Sequence, residues 1–501
     1  MAQRPLLPPE MPDGPVSMGL GWALVPVGVL IALLGLHVVL FGADSSYGPN
    51  QMAMLLAAFV AAAIGMAKGV AWGKVAEAIG KSIASTSEAI LILLLIGALS
   101  GTWLIAGIIP AFMYYGLQVL EPGIFLFAAC IICSTLSLAT GTSWGTVGTV
   151  GVALMGIGAA LGLEPGWVAG AIISGAYFGD KLSPMSDTTN IAPAVAGTDL
   201  FTHIRYMLYT TVPSMVVTLA VFLVAGLGGG ASAGGAVPGL APGFEEAVRG
   251  AFQIHAGLFI APIVVIGLII KKVPAAPALL VGVLLGALTA VLFQPQLIAT
   301  LSNGIGGWAG YRVAMQAMFG DIAVETGHPL ADGLLQSDGM AGMLNTVWLI
   351  LCAMVFGAAL EATGMLRAIT AALLRGVQST FGLVSRTVGT CLAFNILASD
   401  QYLAIVVPGN MYRKAFEDAD LAPENLSRTL EDAGTVTSVL VPWNTCGVAQ
   451  SGMLGIATWA YLPYCIFNWV SPLMTLLVAA VGFRIRKLGP TPVELRGAQK
   501  G

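Results

Sequence analysis

The chain has 501 residues, 57% hydrophobic and 9% charged, with a formal net charge of −4 and a mean hydropathy of +0.88. A soluble domain carries about 25% charged residues, so a soluble globular fold is excluded. Apolar runs near bilayer length recur from end to end, which defines an all-α polytopic membrane protein.

The first 18 residues are Pro-rich with one Arg and lack the basic region of a cleaved signal peptide, so 19–41 reads as a retained span. Further spans are expected at roughly 51–67, 88–109, 122–162, 166–200, 205–227, 251–270, 275–293, 344–363, 380–412, 434–458 and 460–483. Segments 122–162 and 380–412 are too long for one crossing at about 1.5 Å per residue. Basic residues cluster after several spans, at Lys68, Lys74 and Lys81, at Lys271 and Lys272, at Arg367, Arg375 and Arg386, and at Arg484, Arg486 and Lys487. The positive-inside rule places all of them on the cytoplasmic face. Single crossings put Lys81 and Lys271 on opposite sides; the conflict disappears if 122–162 and 380–412 each cross twice or form re-entrant hairpins. Segment 294–343 then falls outside.

That count gives an odd number of crossings per half, hence two inverted-topology repeats with interrupted helices. Weak collinear matches support it: 99–109 with 356–366, 139–151 with 398–409, and 183–190 with 441–447, all at offsets near 256–260. The resulting organisation is a cytoplasmic N-terminal tail (1–18), a first repeat (19–227), a Gly-rich linker (228–250), a second repeat (251–487) and a cytoplasmic C-terminal tail (488–501). Inverted repeats with broken helices are the architecture of secondary transporters.

Four polar stretches interrupt the apolar runs: TGTSWGT (140–146), GDKLSPMSDTTN (179–190), NILASDQY (395–402) and PWNTCG (442–447). Irregular polar backbone survives at membrane depth only when buried in protein or lining water. These stretches should therefore face one another across a cavity. Their hydroxyls, carboxylates and freed carbonyls are the oxygen ligands a hard cation prefers. Thr140, Thr142 and Ser143 supply hydroxyls; Asp187 and Asp400 supply the carboxylates best suited to exchange protons for sodium. Alternatives stay open. Asp187 could instead be a helix N-cap, Asp400 a structural acid bonded to freed backbone, and Asp180 and Lys181 an internal ion pair or a helix end. Glu88 reads as a helix-start acid, Glu361 as an interfacial or second titrating acid, and His203 as a polar span start or a pH-responsive group. Cys130 and Cys133 form a C-x-x-C inside an apolar helix without a neighbouring His and read as packing residues.

GAYFGDKLSPMSDTTNIAPAVAGTDLFTHIRYMLYTTVPS (175–214), NILASDQYLAIVVPGNMY (395–412), LVPWNTCG (440–447) and ATGTSWGT (139–146) resemble the NhaC-type sodium/proton antiporters. The resemblance implies gradient-driven exchange of sodium, or lithium, for protons in a bacterial inner membrane, without a cofactor. By position it implies cation or proton binding by Asp180, Ser183, Ser186, Asp187, Thr188, Thr189 and Asn190, and by Ser399, Asp400, Asn444 and Thr445. The partners it implies are the sodium ion, the proton and the lipid bilayer, with no nucleic acid and a homodimer left open. Relatives that couple sodium to malate or lactate belong to the same family, so sodium- and proton-coupled exchange of a small carboxylate is the alternative, with Lys181 as its cationic clamp. A channel expects filter rings. An intramembrane enzyme expects a nucleophile–base pair or H-E-x-x-H, and the four His are unpaired.

Overall fold

The computed structural model describes residues 18–41, 45, 47–231, 243–271, 273–302, 307–373 and 379–488. The expected tails, save Met18 and Leu488, and 232–242 of the expected linker lie outside the described residues. Among the described residues nine helices are long and apolar enough to cross a membrane, or up to eleven if two bent helix pairs each count as a span. The chain is therefore a multi-pass, all-α membrane protein. Its described strands form a single two-stranded pair, Ile322–Ala323 with Gln336–Ser337, inside the segment expected outside the membrane.

In the first half the principal helices are α1 (Leu20–Phe41), α2 (Pro49–Ala67), α3 (Trp72–Ser85), α4 (Ser87–Ile105), α5 (Ile108–Val119), α6 (Pro122–Thr140), α7 (Ser143–Ala160), α8 (Pro165–Leu182), α9 (Asp187–Ala196) and α10 (Leu200–Leu227). In the second half they are α11 (Ile260–Ile270), α12 (Ala275–Phe293), α13 (Leu344–Ala362), α14 (Met365–Leu373), α15 (Thr380–Leu397), α16 (Leu403–Asp418), α17 (Pro423–Leu430), α18 (Thr445–Leu454) and α19 (Ile466–Val481). Helix α17 runs on through a π turn at Glu431–Thr435 and a 3-10 turn at Ser438–Leu440.

Both over-long segments split as the charge rule required. Helix α6 ends at Gly141 (φ 71°), and Thr142 caps α7 by accepting the Gly145 N–H at 3.1 Å. Helix α15 ends before Ser399 (φ 59°), and Asp400 accepts the Leu403 N–H at 2.9 Å at the start of α16. Two expected single spans are corrected. Segment 166–200 is broken at 183–186, where Pro184 cannot continue α8. The expected span 434–458 is a helical run from 423 to 440, then a break, then α18. The stretch PENLSRTLED (423–432) lacks any apolar run and still forms buried helix: Glu424, Asn425, Ser427, Arg428, Thr429, Glu431 and Asp432 are all buried.

The halves share a backbone plan at one offset. Left-handed residues recur in the pairs Gly141 and Ser399, Gly162 and Asp420, Gly197 and Gly455, each 258 residues apart. Proline starts α8 and α17 at the same separation, where its missing N–H costs nothing. Side-chain contacts repeat too. Ser143 Oγ donates to Asp180 Oδ2 at 2.7 Å, and at the matching positions Ser438 Oγ donates to Gln401 Oε1 at 3.0 Å.

The halves interlock: α4 packs on α12, and α13 packs on α2 and α3. Inside the first half α6 packs closely against α8, allowed by Gly175 and Gly179, a small-xxx-small pair. A Cβ on Gly175 would lie 2.2 Å from the Cys130 carbonyl oxygen, and one on Gly179 2.3 Å from that of Ser134. Gly175→Ala is expected to force these helices apart at a cost of about 1–3 kcal/mol, read as a lowered midpoint of thermal unfolding in detergent; an unchanged midpoint would show that the contact relaxes freely.

Candidate functional site

Three helix breaks, at 141–142, 183–186 and 398–402, converge with the start of α18 on a cavity of about 590 Å³. Of the residues singled out in the sequence, Thr140, Thr142, Ser143, Asp180, Ser186, Asp187, Thr188, Asp400 and Thr445 line it. Both halves of the chain contribute, because each hairpin break lies beside a broken helix.

Each of the three aspartates is held differently. Asp180, on the last turn of α8, is 7% exposed and accepts from Ser143. Asp187 stands in the first turn of α9, exposed to the cavity, where the helix dipole favours a negative charge. Asp400 is 7% exposed and caps the turn Gln401–Tyr402 that leads into α16, accepting the Leu403 N–H. Asp187 is not the cap of its own helix; the N-cap position belongs to Ser186, whose hydroxyl makes no capping bond. Glu88, in the first turn of α4, joins them in the wall. No Lys, Arg or His is among the described lining residues, so the field inside draws cations. Among the described residues no three His, Cys, Asp or Glu side chains come together around one point. A hard cation held here would combine a carboxylate with hydroxyl and carbonyl oxygens.

The remaining residues expected at the site brace its walls. Thr189 Oγ1 donates to the carbonyls of Asp180 and Lys181 at 3.2 and 3.0 Å. Asn190 Nδ2 donates to those of Pro184 and Ser186, and Ser183 Oγ accepts from the Met185 N–H. These bonds take up backbone carbonyls and an N–H at the break at 183–186. Asn444 does the same in the second half, accepting from the Cys446 N–H and donating to the Asn395 carbonyl. Ser399 is the buried left-handed residue of its break. His203 is fully buried with Nδ1 2.8 Å from Ser427 Oγ, and Glu361 is exposed near the end of α13; neither lines the cavity.

Capping and charge at Asp400 can be separated. Asn is as good an N-cap as Asp, whereas Ala costs about 0.5–2 kcal/mol. Asp400→Asn is expected to keep the thermal stability of the fold and Asp400→Ala to lower it, with transport lost in both. Full transport by the Asn variant would leave Asp400 as a cap alone.

Behind the cavity lies a charged layer that sequence reasoning missed. Lys181 and Asp432 form an ion pair with both side chains 0% exposed. Ser471 bridges the two at 3.1 Å to each, and Thr475 also donates to Asp432. Lys181 does not pair with Asp180. Glu431 Oε1 accepts from Thr188 Oγ1 at 3.0 Å, and Thr188 lies 3.2 Å from Ser186 Oγ, which ties this layer to the cavity wall. Arg428 is fully buried with its guanidinium 4.6 Å from the Tyr206 ring centroid. Hydropathy could not find this layer, since 423–432 reads as a polar loop; the proline match of 165 with 423 was the available signal.

The lining includes Ser85, Thr86 and Glu88, just after Lys81, and Val273–Ala275, just after Lys271. Both lysine-bearing ends therefore lie on one face, as the charge rule demands.

Broken helices from two matched halves, enclosing an acidic cavity within a bundle of spans, define a membrane protein of the secondary-transporter class. Residues 175–483 match the model of the Na+/H+ antiporter family. The chain is 33% identical over 467 residues to the Na(+)/H(+) antiporter NhaC of Alkalihalophilus pseudofirmus, covering 93% of this chain and 96% of that one. It is 35% identical to the malate-2H(+)/Na(+)-lactate antiporter of Bacillus subtilis, covering 89% and 91%. It is 34% identical to the arginine/ornithine antiporter ArcD of Halobacterium salinarum, covering 94% and 93%. The chain belongs to the Na+/H+ antiporter family.

Proposed function

We propose that this protein exchanges sodium for protons across a bacterial inner membrane, driven by the ion gradients alone. The observation that carries this reading is the cavity wall: carboxylates and hydroxyls from both halves, without a basic side chain among the described lining residues. Such a site binds a hard cation through oxygens. Protonation of the same carboxylates discharges it, so sodium and proton compete for one place and antiport follows. Asp187 and Asp180 from one broken helix and Asp400 from the facing hairpin are the acids assigned to that competition. Lysine-bearing helix ends beside the cavity make the cytoplasm the side from which sodium would be loaded. Movement of one half against the other would then expose it outward.

The carboxylate-exchange reading needs a cationic clamp for the anion. Lys181, the group expected to serve, is fully buried and paired with Asp432, which favours the cation reading. The test is proton flux in everted vesicles holding an acid-inside gradient. Sodium alone is expected to collapse the gradient. Collapse only when malate or lactate is added would transfer the assignment to carboxylate exchange.

A further inference from the structure

Two hydroxyls of the cavity wall belong to a directed chain of hydrogen bonds. Thr188 Oγ1 donates to Glu431 Oε1 at 3.0 Å, and Ser186 Oγ lies 3.2 Å from Thr188 Oγ1. A hydroxyl has one proton to give and two lone pairs to offer. With the Thr188 proton committed to Glu431, the Ser186 hydroxyl is the donor of the second bond. The chain therefore runs from Ser186 to Thr188 to Glu431, and each link polarises the next. Ser186 and Thr188 line the cavity; Glu431, fully buried, is not among the described lining residues.

The charge on Glu431 fixes that direction. The buried layer sets Lys181 and Arg428 against Asp432 and Glu431. Lys181 pairs with Asp432, which leaves Glu431 as the anion that balances Arg428, three residues before it on the same helical run. An ionised carboxylate accepts and does not donate. Among the described residues Thr188 gives Glu431 its one hydrogen bond, and Oε2 has no partner. The Thr188 proton is thus held by a charged acceptor, in the stronger class of hydrogen bond.

We propose that Glu431 is a positioning residue for cation binding, which turns the Thr188 and Ser186 hydroxyls so that oxygen lone pairs, and not protons, are offered to the cavity. This deepens the antiport reading above and rests on it. A hard cation is bound through oxygen, and a hydroxyl that presents its proton repels it. Glu431 acts through Thr188 without touching the ion.

The experiment is proton flux in everted vesicles holding an acid-inside gradient, followed as sodium is raised. Glu431→Gln keeps the shape but offers an amide N–H that donates to Thr188 Oγ1 and turns the hydroxyl proton toward the cavity. It is expected to raise the half-saturating sodium concentration about tenfold, with maximal flux within about twofold of wild type. Thr188→Val, which removes the oxygen itself, is expected to give a rise of the same size. The double variant should be no worse than Thr188→Val alone, because without the hydroxyl Glu431 has nothing to orient. Glu431→Asp keeps the charge that balances Arg428 and draws the acceptor back by one methylene, so it carries the same expectation if the Gln variant does not reach the membrane. A fall in maximal flux at unchanged half-saturation would reduce Glu431 to support of the fold and overturn the proposal. A double variant whose shift is the product of the two single shifts would also overturn it, since Glu431 would then act independently of Thr188. In both cases wild-type flux still saturates with sodium and antiport stands. Wild-type flux indifferent to sodium would sink the antiport reading and the proposal together.

Discussion

Lys181→Met is expected to destabilise the protein by about 3–5 kcal/mol, because it strands the Asp432 carboxylate without its counter-charge where water does not reach. Ser471 and Thr475 remain as hydroxyl donors to Asp432, but neutral donors do not compensate a buried charge. Asp432→Leu should be as damaging, since it strands the ammonium instead. The double variant Lys181→Met/Asp432→Leu should recover much of the loss, because a buried ion pair replaced by apolar side chains of similar volume is often neutral or stabilising. Thermal unfolding in detergent, followed by the monodisperse fraction on gel filtration, reads all three. A double variant as unstable as either single one would show that the pair is needed for more than charge balance. The transport rate of a recovered double variant then asks a separate question: whether this layer only supports the cavity or takes part in the exchange.

Asp187→Asn is expected to lower sodium-dependent proton flux by about 30-fold or more at sub-saturating sodium, the loss that goes with removing a charge partner worth about 2–5 kcal/mol. The fold should be unaffected, because Asp187 is exposed to the cavity and does not cap its helix. Asp180→Asn is expected to be equally damaging to flux, and it also alters a buried bond to Ser143, so its stability must be measured beside its activity. Flux retained by Asp187→Asn would move the exchange to Asp180 and Asp400. Flux retained by all three single variants would remove the cavity acids from the mechanism altogether.

The class of protein was legible in composition, and the doubling of 122–162 and 380–412 in length and charge alone. Both rest on rules that need no tertiary knowledge: hydrocarbon thickness sets helix length, and basic residues stay in the cytoplasm. The polar interruptions were legible too, since polarity inside an apolar run has no cheap explanation other than burial against protein or water. Which of those residues face the cavity was not. Ser183, Thr189, Asn190 and Asn444 look identical in sequence to Ser186, Thr188 and Thr445, yet the first group bonds backbone freed by the breaks and the second lines the space between them. That division depends on the direction each side chain takes from an irregular turn.

The layer behind the cavity was hidden for a different reason. Sequence alone established a bundle of membrane helices with four polar interruptions, and offered only weak collinear matches between the halves. Only tertiary structure decided that PENLSRTLED is helix and buried. A hydropathy reading assigns Glu424, Arg428, Glu431 and Asp432 to water because it treats each residue against solvent. For the last two, burial is stabilised pairwise, Asp432 by Lys181 from 251 residues away and Glu431 by Thr188 from 243. A charge is tolerated inside a protein when a specific partner meets it there, and the identity of that partner is a property of the fold, not of the segment.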